Sequence, residues 1–433
     1  IVETIFTTRV QTRELPLMTF NPDSILTVQP IPNLSDEVNQ VRLDTAEIVG
    51  KRIIPNEKTL AQRWSGNEDA KKLWQDIVGE VKERKLWAPH LPEEYGGTNM
   101  GFLSHAYMNE ILAWSGVAAP MFGVVAPNSG NQKVLVRYGT PEQKKKWLEP
   151  LVRGETQSCF SMTEPDNAGS DPRSIQTRAV RDGDEWVING HKWFTSNAVR
   201  ADWALVMART QEDDGEGGTN DKMSQFIVPT DSPGFEIVRS VPVWGHTGGH
   251  HCEIKYTNVR IPHENMLGRE GQGHAAAQER LGAGRVYHCM NSIGHMWRAF
   301  DLMVKRAIER KVHGGTLETK QFIQGFVADS YMDIQAARLM TIHCAEVIES
   351  GADPRTEISS IKVFVPAAYH RVVDRAIQVF GAKGVSGDTP LAGMYLGART
   401  LRLADGPDEV HRILIAKNVF KHYQDGLSWD FGI

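Results

Sequence analysis

A chain of 433 residues is long enough for about three domains at roughly 150 residues each, and it can easily bury a core. Its net charge of −5 is mild for this length, which gives no electrostatic reason to expect binding to DNA, RNA or an anionic membrane surface. The four cysteines (Cys159, Cys252, Cys289 and Cys344) are far apart and form no C-x-x-C pair, so the sequence favours a reducing compartment over a disulfide framework or a zinc knuckle.

The N-terminal third of the chain predicts helices. Residues 1–35 are interpreted as a leader or extended segment, and residues 36–157 as an α-helical domain in which apolar residues recur at helical spacing. The pattern breaks at 92–97 and restarts at Thr140, a predicted N-cap that is followed by proline at the first helical position. Residues 111–132 carry no charge, but glycine and proline interrupt them, so buried helices are expected there and no membrane span.

The period of the apolar pattern changes to two over residues 158–268, which predicts a middle β-domain. Asp182-Gly183 and Asn189-Gly190 lie between strand-like runs, and such pairs are typical of hairpin turns. Further short strands are predicted at 203–208, 225–229, 235–238 and 252–256. The loop 212–221 is too polar to bury much surface, and we expect it to be mobile.

Residues 269–433 return to a helical pattern. Two long apolar stripes alternate spacings of three and four, as an amphipathic helix requires. They comprise Val286, Met290, Ile293, Trp297, Phe300, Val304 and Ala307, and then Ile361, Val365, Ala368, Val372, Ala376 and Val379. Helices with such stripes pack side by side, so the sequence predicts an antiparallel helical bundle.

A segment at 159–171, CFSMTEPDNAGSD, carries an unusual pattern at the start of the β-domain. Pro165 forces Glu164 to be extended, and the region of Gly169 permits backbone conformations that other residues avoid. Such a segment exposes backbone N–H and C=O groups, which suits a planar heterocycle that forms hydrogen bonds. An ordinary strand-to-turn connection fits the same residues equally well.

Two other features resemble ligand-binding motifs but lack the spacing or context that such motifs need. The cluster of His246, His250 and His251 lacks the convergent spacing that a metal site needs, so no metal is predicted. The glycine-rich stretches 268–273 and 381–387 lack the strand-before, helix-after context of a dinucleotide fingerprint.

Five stretches in sequence order together resemble the acyl-CoA dehydrogenase family. The 159–171 segment is similar to the family's T-E-P-x-A-G-S-D strand, with one extra residue after the proline. The other stretches are HKWFTSNA (191–198), RAIERK (306–311), IQVFGAKG (377–384) and LRLADGPDEVHR (401–412). The ADGPDEVH stretch (404–411) and the longer loop after Pro165 resemble most the branch of human family members ten and eleven. The resemblance implies a mostly α fold, with an N-terminal helical domain, a middle β-barrel or sandwich, and a C-terminal four-helix bundle.

The resemblance also implies a non-covalent FAD and the residues that hold it. Met162, Thr163, Trp193 and Thr195 correspond to positions at the flavin ring, although Trp193 taken alone would be read as a core tryptophan. The remaining cofactor positions are Arg310, Gln321, Gln378, Phe380, Gly381, Ala382, Pro407 and Glu409. The loop of Gln378 to Ala382 corresponds to one that serves a neighbouring subunit's FAD, which implies a homodimer or homotetramer. Val312 and His313 depart from the family, and this puts one hydroxyl contact to the ADP portion in doubt.

The resemblance assigns the substrate site to four positions. Ser170 corresponds to a residue beside the CoA arm, and Arg285 to a CoA contact, although a solvent-facing helix arginine fits Arg285 as well. The base that takes the α-proton stands at one of two positions in the family. These are Asp405 and Gly284 here, and since glycine cannot accept a proton, Asp405 is the predicted base, with Glu279 as the fallback. An aspartate is one methylene shorter than the glutamate usual in the family.

The function implied is that of an FAD-dependent acyl-CoA dehydrogenase of fatty acid β-oxidation, which passes electrons to an electron-transfer flavoprotein. Two alternatives stay open: a flavin-dependent oxidase of acyl-CoA or nitroalkanes, and a non-enzymatic flavin-bearing binding protein. The expected location is cytoplasmic for a bacterial protein, or the mitochondrial matrix or peroxisome otherwise. The sequence does not define the acyl-chain length, its branching or a hydroxy substituent.

Overall fold

The computed structural model of the protein describes residues 25–213, 219–245 and 250–431. The predicted order of a helical domain, a β-domain and a helical bundle is confirmed. In the described part of the chain, no helix is both long and apolar enough to cross a membrane.

The N-terminal helices pack around an apolar core formed by residues such as Ile48, Leu60, Ile77 and Phe122. They are α1 (Asp36–Ile48), α2 (Glu57–Leu60), α3 (Glu68–Glu83), α4 (Phe102–Leu112), α5 (Asn128–Tyr138), α6 (Pro141–Gln143) and α7 (Glu149–Arg153). The predicted cap of α6 is confirmed, because Thr140 Oγ1 accepts a hydrogen bond from the backbone N–H of Gln143 at 3.2 Å.

The β-domain is built on an eight-stranded sheet in the order β6-β7-β3-β2-β4-β5-β8, with β1 paired in parallel to β4. The strands are β1 (Ser158–Ser161), β2 (Arg178–Asp182), β3 (Glu185–Ser196), β4 (Trp203–Asp213), β5 (Thr219–Pro229), β6 (Phe235–Ser240), β7 (His251–Pro262) and β8 (Met266–Leu267). Strands β4 and β5 extend into the predicted loop 212–221, whose central residues 214–218 lie outside the described residues. The prediction of a ten-residue loop was therefore wrong in extent, because polar residues continue the ladder of a paired hairpin.

One of the two predicted hairpin turns is confirmed and the other is wrong. Asp182 pairs with Glu185 across the turn at Gly183, which joins β2 to β3. Asn189-Gly190 instead lies inside β3, at a shift in its register with β7. A Cβ at Gly190 would lie 2.2 Å from Thr177 Oγ1, so the glycine serves close approach of a neighbouring segment, not a turn.

The C-terminal helices form the predicted bundle. They are α8 (Gly273–Glu309), α9 (Gln321–Glu349), α10 (Arg355–Phe380), α11 (Leu391–Leu401) and α12 (Asp408–Gln424), with a small hairpin of β9 (Lys311–Val312) and β10 (Gly315–Thr316) between α8 and α9. The two predicted apolar stripes lie on α8 and α10, and most of their side chains are buried in one core. Helix α8 passes from the β-domain through the bundle, and it therefore carries residues to both regions.

Candidate active site

The centre of the site is Asp405, in the loop between α11 and α12, which lies against one face of α8. Its Oδ2 is 3.1 Å from His288 Nε2. Gly284 is one helical turn before His288, and a Cβ there would lie 3.8 Å from the same Asp405 oxygen. Both family positions for the base therefore meet in space, as the resemblance implies, and the one held by glycine leaves room for the carboxylate at the other.

The backbone of the Asp405 loop has an unusual conformation. Asp405 itself has φ of +56° and Gly406 has φ of +103°, so two successive residues lie in the region that disfavours side chains. A Cβ at position 406 would lie 2.9 Å from His411 Nε2, which explains the glycine. The backbone oxygen of Asp405 accepts a hydrogen bond from Arg285 Nε at 2.9 Å, and His411 Nε2 lies 3.3 Å from it.

A buried lysine supports the same loop from α10. Lys362 is fully buried, and its Nζ donates hydrogen bonds to the backbone oxygens of Leu401 and Gly406. On the other side of the loop, Asp408 accepts a hydrogen bond from Arg402 Nε at 2.7 Å. The loop is thus held at both ends, which fixes the strained position of Asp405.

The charges around Asp405 keep its carboxyl ionised. Burial alone would raise its pKa, but the hydrogen bond from His288 and the charges of His288, Arg280 and Arg285 hold the pKa of Asp405 well below its usual range. Burial in turn lowers the pKa of Arg280 to about 10, against the opposing effect of Asp405. Asp405 is therefore present as a carboxylate at neutral pH.

Arg280 also joins α8 to the start of the β-domain. Its Nε donates to Asn131 Oδ1 at 3.0 Å, and its guanidinium lies 4.0 Å from the ring centre of Phe160. Phe160 belongs to β1, only two residues before Met162. The predicted flavin segment therefore begins beside the helix that carries His288.

The segment after β1 is held by a buried ion pair. Lys192 Nζ donates to the backbone oxygen of Met162 at 2.7 Å and to Glu164 Oε1 at 3.0 Å. Thr163 is fixed as well, because its backbone oxygen accepts the N–H of Trp193 at 3.0 Å. The structure therefore brings Met162, Thr163 and Trp193 together.

Trp193 and Thr195 lie on an irregular part of β3. Trp193 is half-buried, and its ring contacts Phe194 edge to face at a centroid distance of 4.9 Å. Thr195 is fully buried, and its Oγ1 lies 3.2 Å from Ser161 Oγ. The Thr195 hydroxyl thus already has a partner inside the sheet, whereas the indole and the backbone of 162–163 present neutral groups suited to a planar heterocycle.

The other predicted cofactor positions lie at the far end of the bundle. Gln378 and Gly381 to Ala382 are exposed at the end of α10, and Phe380 packs under the guanidinium of Arg306 at 5.6 Å. Arg310 and Gln321 are exposed where α8 ends and α9 begins. Since a helix rises about 1.5 Å per residue, Arg310 lies roughly 45 Å along α8 from Arg280, which contacts Phe160 beside the predicted flavin segment. One chain therefore separates the two predicted sets of FAD contacts.

The remaining predicted residues have simple local settings. Ser170 is exposed in the loop after Glu164, Pro407 precedes the first residue of α12, and Glu409 is exposed in its first turn. Glu279, the fallback base, accepts hydrogen bonds from Arg137 at 2.6 Å and Tyr138 at 2.7 Å. These two partners hold Glu279 away from Asp405.

The histidine cluster has ordinary partners where the structure describes it. His250 Nδ1 lies 2.8 Å from Arg200, and His251 Nδ1 lies 2.7 Å from Ser196 Oγ, whereas His246 lies outside the described residues. The described ranges contain no group of three side chains arranged to hold a metal.

Sequence reasoning missed three residues that shape the site: His288, Arg280 and Lys362. His288 and Arg280 stand four residues on either side of Gly284, so helical spacing places all three on one face. That spacing was a usable signal once Gly284 had been singled out. Lys362 had no such signal, since a lysine within an apolar helix stripe is normally solvated at its tip.

Comparisons with known proteins agree with this architecture. Sequence profiles of acyl-CoA dehydrogenases match the chain in three successive parts: the N-terminal domain at 35–155, the middle domain at 159–259 and the C-terminal domain at 271–420. The chain is 44% identical over 349 residues to the Mycobacterium tuberculosis protein named "Probable acyl-CoA dehydrogenase FadE2", over 79% of this chain and 84% of that one.

It is also 38% identical over 390 residues to human acyl-CoA dehydrogenase family member 11, over 87% of this chain and 49% of that one. The chain thus spans about half the length of this relative. Among solved structures, the butyryl-CoA dehydrogenase of Megasphaera elsdenii superposes with a TM-score of 0.75 at 27% identity, over 90% of this chain and 100% of that one.

Proposed function

The chain belongs to the acyl-CoA dehydrogenase family, and from this premise we propose that it oxidises a fatty acyl-CoA thioester across Cα–Cβ with Asp405 as the base. The observation that carries the proposal is the setting of the Asp405 carboxylate. One of its oxygens contacts His288, and the described residues provide no hydrogen-bond donor for the other, Oδ1. A carboxylate with one oxygen free, on the face of α8 that Gly284 leaves open, can receive a proton from a bound substrate.

The backbone of Asp405 supports the same reaction. Within the described residues its N–H has no acceptor, whereas its oxygen is held by Arg285. An N–H fixed in this way can donate to the thioester carbonyl, which acidifies the α-proton of the substrate. The low pKa of Asp405 makes it a weak base in the free enzyme, and substrate binding would raise that pKa by excluding water.

The family is FAD-dependent, and the residues of this chain fit that cofactor. Met162, Thr163 and Trp193 would hold the flavin ring, because the hydrogen bonds from Lys192 to the Met162 oxygen and from Trp193 to the Thr163 oxygen keep this backbone and the indole side by side. When bound, FAD supplies the acceptor for the hydride that leaves the β-carbon. The neighbouring loop with Ser170, and Arg285 on α8, would contact the CoA arm.

The distance between the two sets of cofactor positions favours a site shared by two chains. The exposed loop Gln378 to Ala382 would contact the FAD of a neighbouring subunit, so we infer a homodimer, or two dimers paired in a homotetramer. Arg310 and Gln321 lie at the same end of the bundle and would contribute to that contact.

An isosteric pair of variants tests the shared site. Gly381 has φ of +64° and ψ of −140°, a backbone region that is essentially restricted to glycine, so asparagine and aspartate strain the loop to the same extent. Gly381→Asp would also place a carboxylate against phosphate, so it should lose more FAD on gel filtration than Gly381→Asn, which adds the same bulk and the same strain without charge. Equal FAD content in the two variants, or tight FAD retention by a monomer in sedimentation, would contradict the shared site.

The reaction itself is tested with a panel of acyl-CoAs of different length under anaerobic conditions. The flavin absorbance should bleach with at least one of them, and an electron-transfer flavoprotein should restore it catalytically. Aspartate at the base position also fits an oxidase of the same fold, which in air would form hydrogen peroxide at the rate of product formation. A protein that binds FAD but bleaches with no acyl-CoA would favour a binding role instead.

A further inference from the structure

Among the residues that the structure describes, one side chain contacts an oxygen of the Asp405 carboxylate, and it lies on the long helix α8. His288 Nε2 is 3.1 Å from Asp405 Oδ2, with the two side chains 31% and 25% exposed. We propose that His288 is the positioning residue of the base: it holds Oδ2 against α8, so that Oδ1 is the oxygen that receives the substrate's α-proton. The inference deepens the proposed function and rests on it.

The need for such a partner follows from the shorter side chain at position 405. An aspartate rotates freely about two bonds, and here it stands on a backbone in the left-handed region, beside a glycine that gives it no lateral support. A misplacement of about 1 Å at a reacting atom can lower a rate by roughly a hundredfold. A hydrogen bond from a rigid helix removes that freedom at little cost, because the imidazole has only two rotatable bonds of its own.

The other charged groups around the loop act on its backbone or lie farther away. Arg285 and His411 contact the Asp405 oxygen of the main chain, and Lys362 contacts that of Gly406. The titratable and charged groups that face the pair from the surrounding helices are Arg280 and Arg285 on α8, Lys362 on α10, Arg402 after α11, and Asp408 and His411 on α12. Of these, none donates a hydrogen bond to the Asp405 carboxylate in the described structure, so His288 alone sets its orientation.

The proton balance of the step is simple. The α C–H bond of the acyl-CoA breaks and its proton moves to Asp405 Oδ1, and the hydride that leaves the β-carbon would be accepted by FAD when it is bound, leaving an enoyl-CoA. The His288 imidazole keeps its Nε2–H on Oδ2 throughout, since the carboxyl group can still accept there after protonation. The charge on Asp405 is lost in the step while its position is kept.

The test compares His288→Ala and His288→Gln with His274→Ala, a control at an exposed histidine near the start of the same helix. In the FAD-loaded enzyme, His288→Ala should keep its FAD and its acyl-CoA affinity but reduce the flavin about a hundredfold more slowly in a single turnover. The acid limb of its rate profile should move to higher pH, because the carboxylate loses a donor that favours its charged form. His288→Gln, which retains an N–H donor, should recover part of the rate, and His274→Ala should match the wild type.

A second measurement does not depend on turnover. The carboxyl carbon of Asp405, labelled with ¹³C and followed by NMR, should begin to protonate at higher pH in His288→Ala than in the wild type. A wild-type rate and profile in His288→Ala, a uniform slowing at every pH, or identical carboxyl titrations would each overturn the proposal. If no acyl-CoA reduces the wild-type flavin, the proposed function fails, and the carboxyl titration still decides whether His288 controls Asp405.

Discussion

Two carboxylates, the buried Glu164 beside the predicted flavin segment and the half-buried Asp405 beside α8, share one electrostatic property. Surrounding donors and cations lower the pKa of both, although burial alone would raise it. For Glu164 the charge of Lys192 and hydrogen bonds from Thr177 and Gln176 lower the pKa to about 2. The direction of a pKa shift alone therefore does not distinguish a structural carboxylate from a candidate base.

The difference lies in how many of their oxygens are occupied. Glu164 Oε1 accepts from Lys192, and from both the backbone and the hydroxyl of Thr177, while Oε2 accepts from the Gln176 backbone and the Asn167 amide. Asp405 has His288 on one oxygen only. A carboxylate with full occupancy stabilises the fold, whereas one with a free oxygen can do chemistry.

Asp405→Asn should have the largest effect on function. The amide keeps the shape of the side chain but cannot accept the α-proton, so flavin reduction should fall by about a hundred- to ten-thousand-fold. Stopped-flow absorbance with an acyl-CoA measures the rate, and FAD content with ligand-induced spectral shifts verifies that binding survives. Flavin reduction at the wild-type rate would place the base elsewhere.

Glu164→Gln should have the largest effect on stability. It leaves Lys192 as a buried charge without its counter-ion, so the free energy of unfolding should fall by about 3–5 kcal/mol. Urea denaturation measures this change. Glu155→Gln, at an exposed ion pair with Arg153, is the matched control and should change stability little. If both variants were equally stable, the buried pair would contribute nothing to the fold.

The pH dependence of stability should carry the signature of Glu164. Because its pKa falls from 4.5 in the unfolded chain to about 2 in the fold, its contribution is complete above pH 4.5 and is lost as the pH drops towards 2. The difference in unfolding free energy between the wild type and Glu164→Gln should therefore shrink across that window. A constant difference would show that the carboxylate is already protonated in the fold.

Asp405→Glu should give the smallest of these effects. The longer side chain restores the family's usual residue but brings the carboxylate one methylene closer to the substrate and to His288. We expect retained activity with a preference among acyl-CoAs changed by roughly tenfold, comparable to the effect of one methylene in a pocket. The ratio of kcat/KM for short and long acyl-CoAs measures it, and an unchanged ratio would mean that reach does not govern selectivity.

Much of the fold could be predicted from local patterns, because those patterns depend on neighbours in sequence. Three features were predicted from such local patterns: the apolar stripes of α8 and α10, the Thr140 cap and the turn at Gly183. The hairpin turn predicted at Asn189-Gly190 was wrong because Gly190 leaves room for the side chain of Thr177, a residue from another segment. A turn and a close approach require the same residue type, and sequence alone does not separate them.

The site was predictable as a set of positions but not as a set of contacts. Asp405 and Gly284 were paired through resemblance, and the structure brings them together. The roles of His288 and Lys362 depend on how the loop 401–408 folds back onto α8 and α10. Contacts between residues that lie far apart in the chain leave no periodic trace in the sequence.

Helix α8 is a single uninterrupted element of 37 residues, and its continuity fixes the spacing of the residues along it. Each residue of an α-helix adds about 1.5 Å and 100° of rotation, so His288 and Arg310 are fixed to one another in both distance and direction. One residue inserted between them would leave Asp405 with its partner but turn Arg310 by about 100° away from its present bearing. A one-residue insertion in α8 after His288 should therefore damage shared cofactor binding while sparing the pair at Asp405.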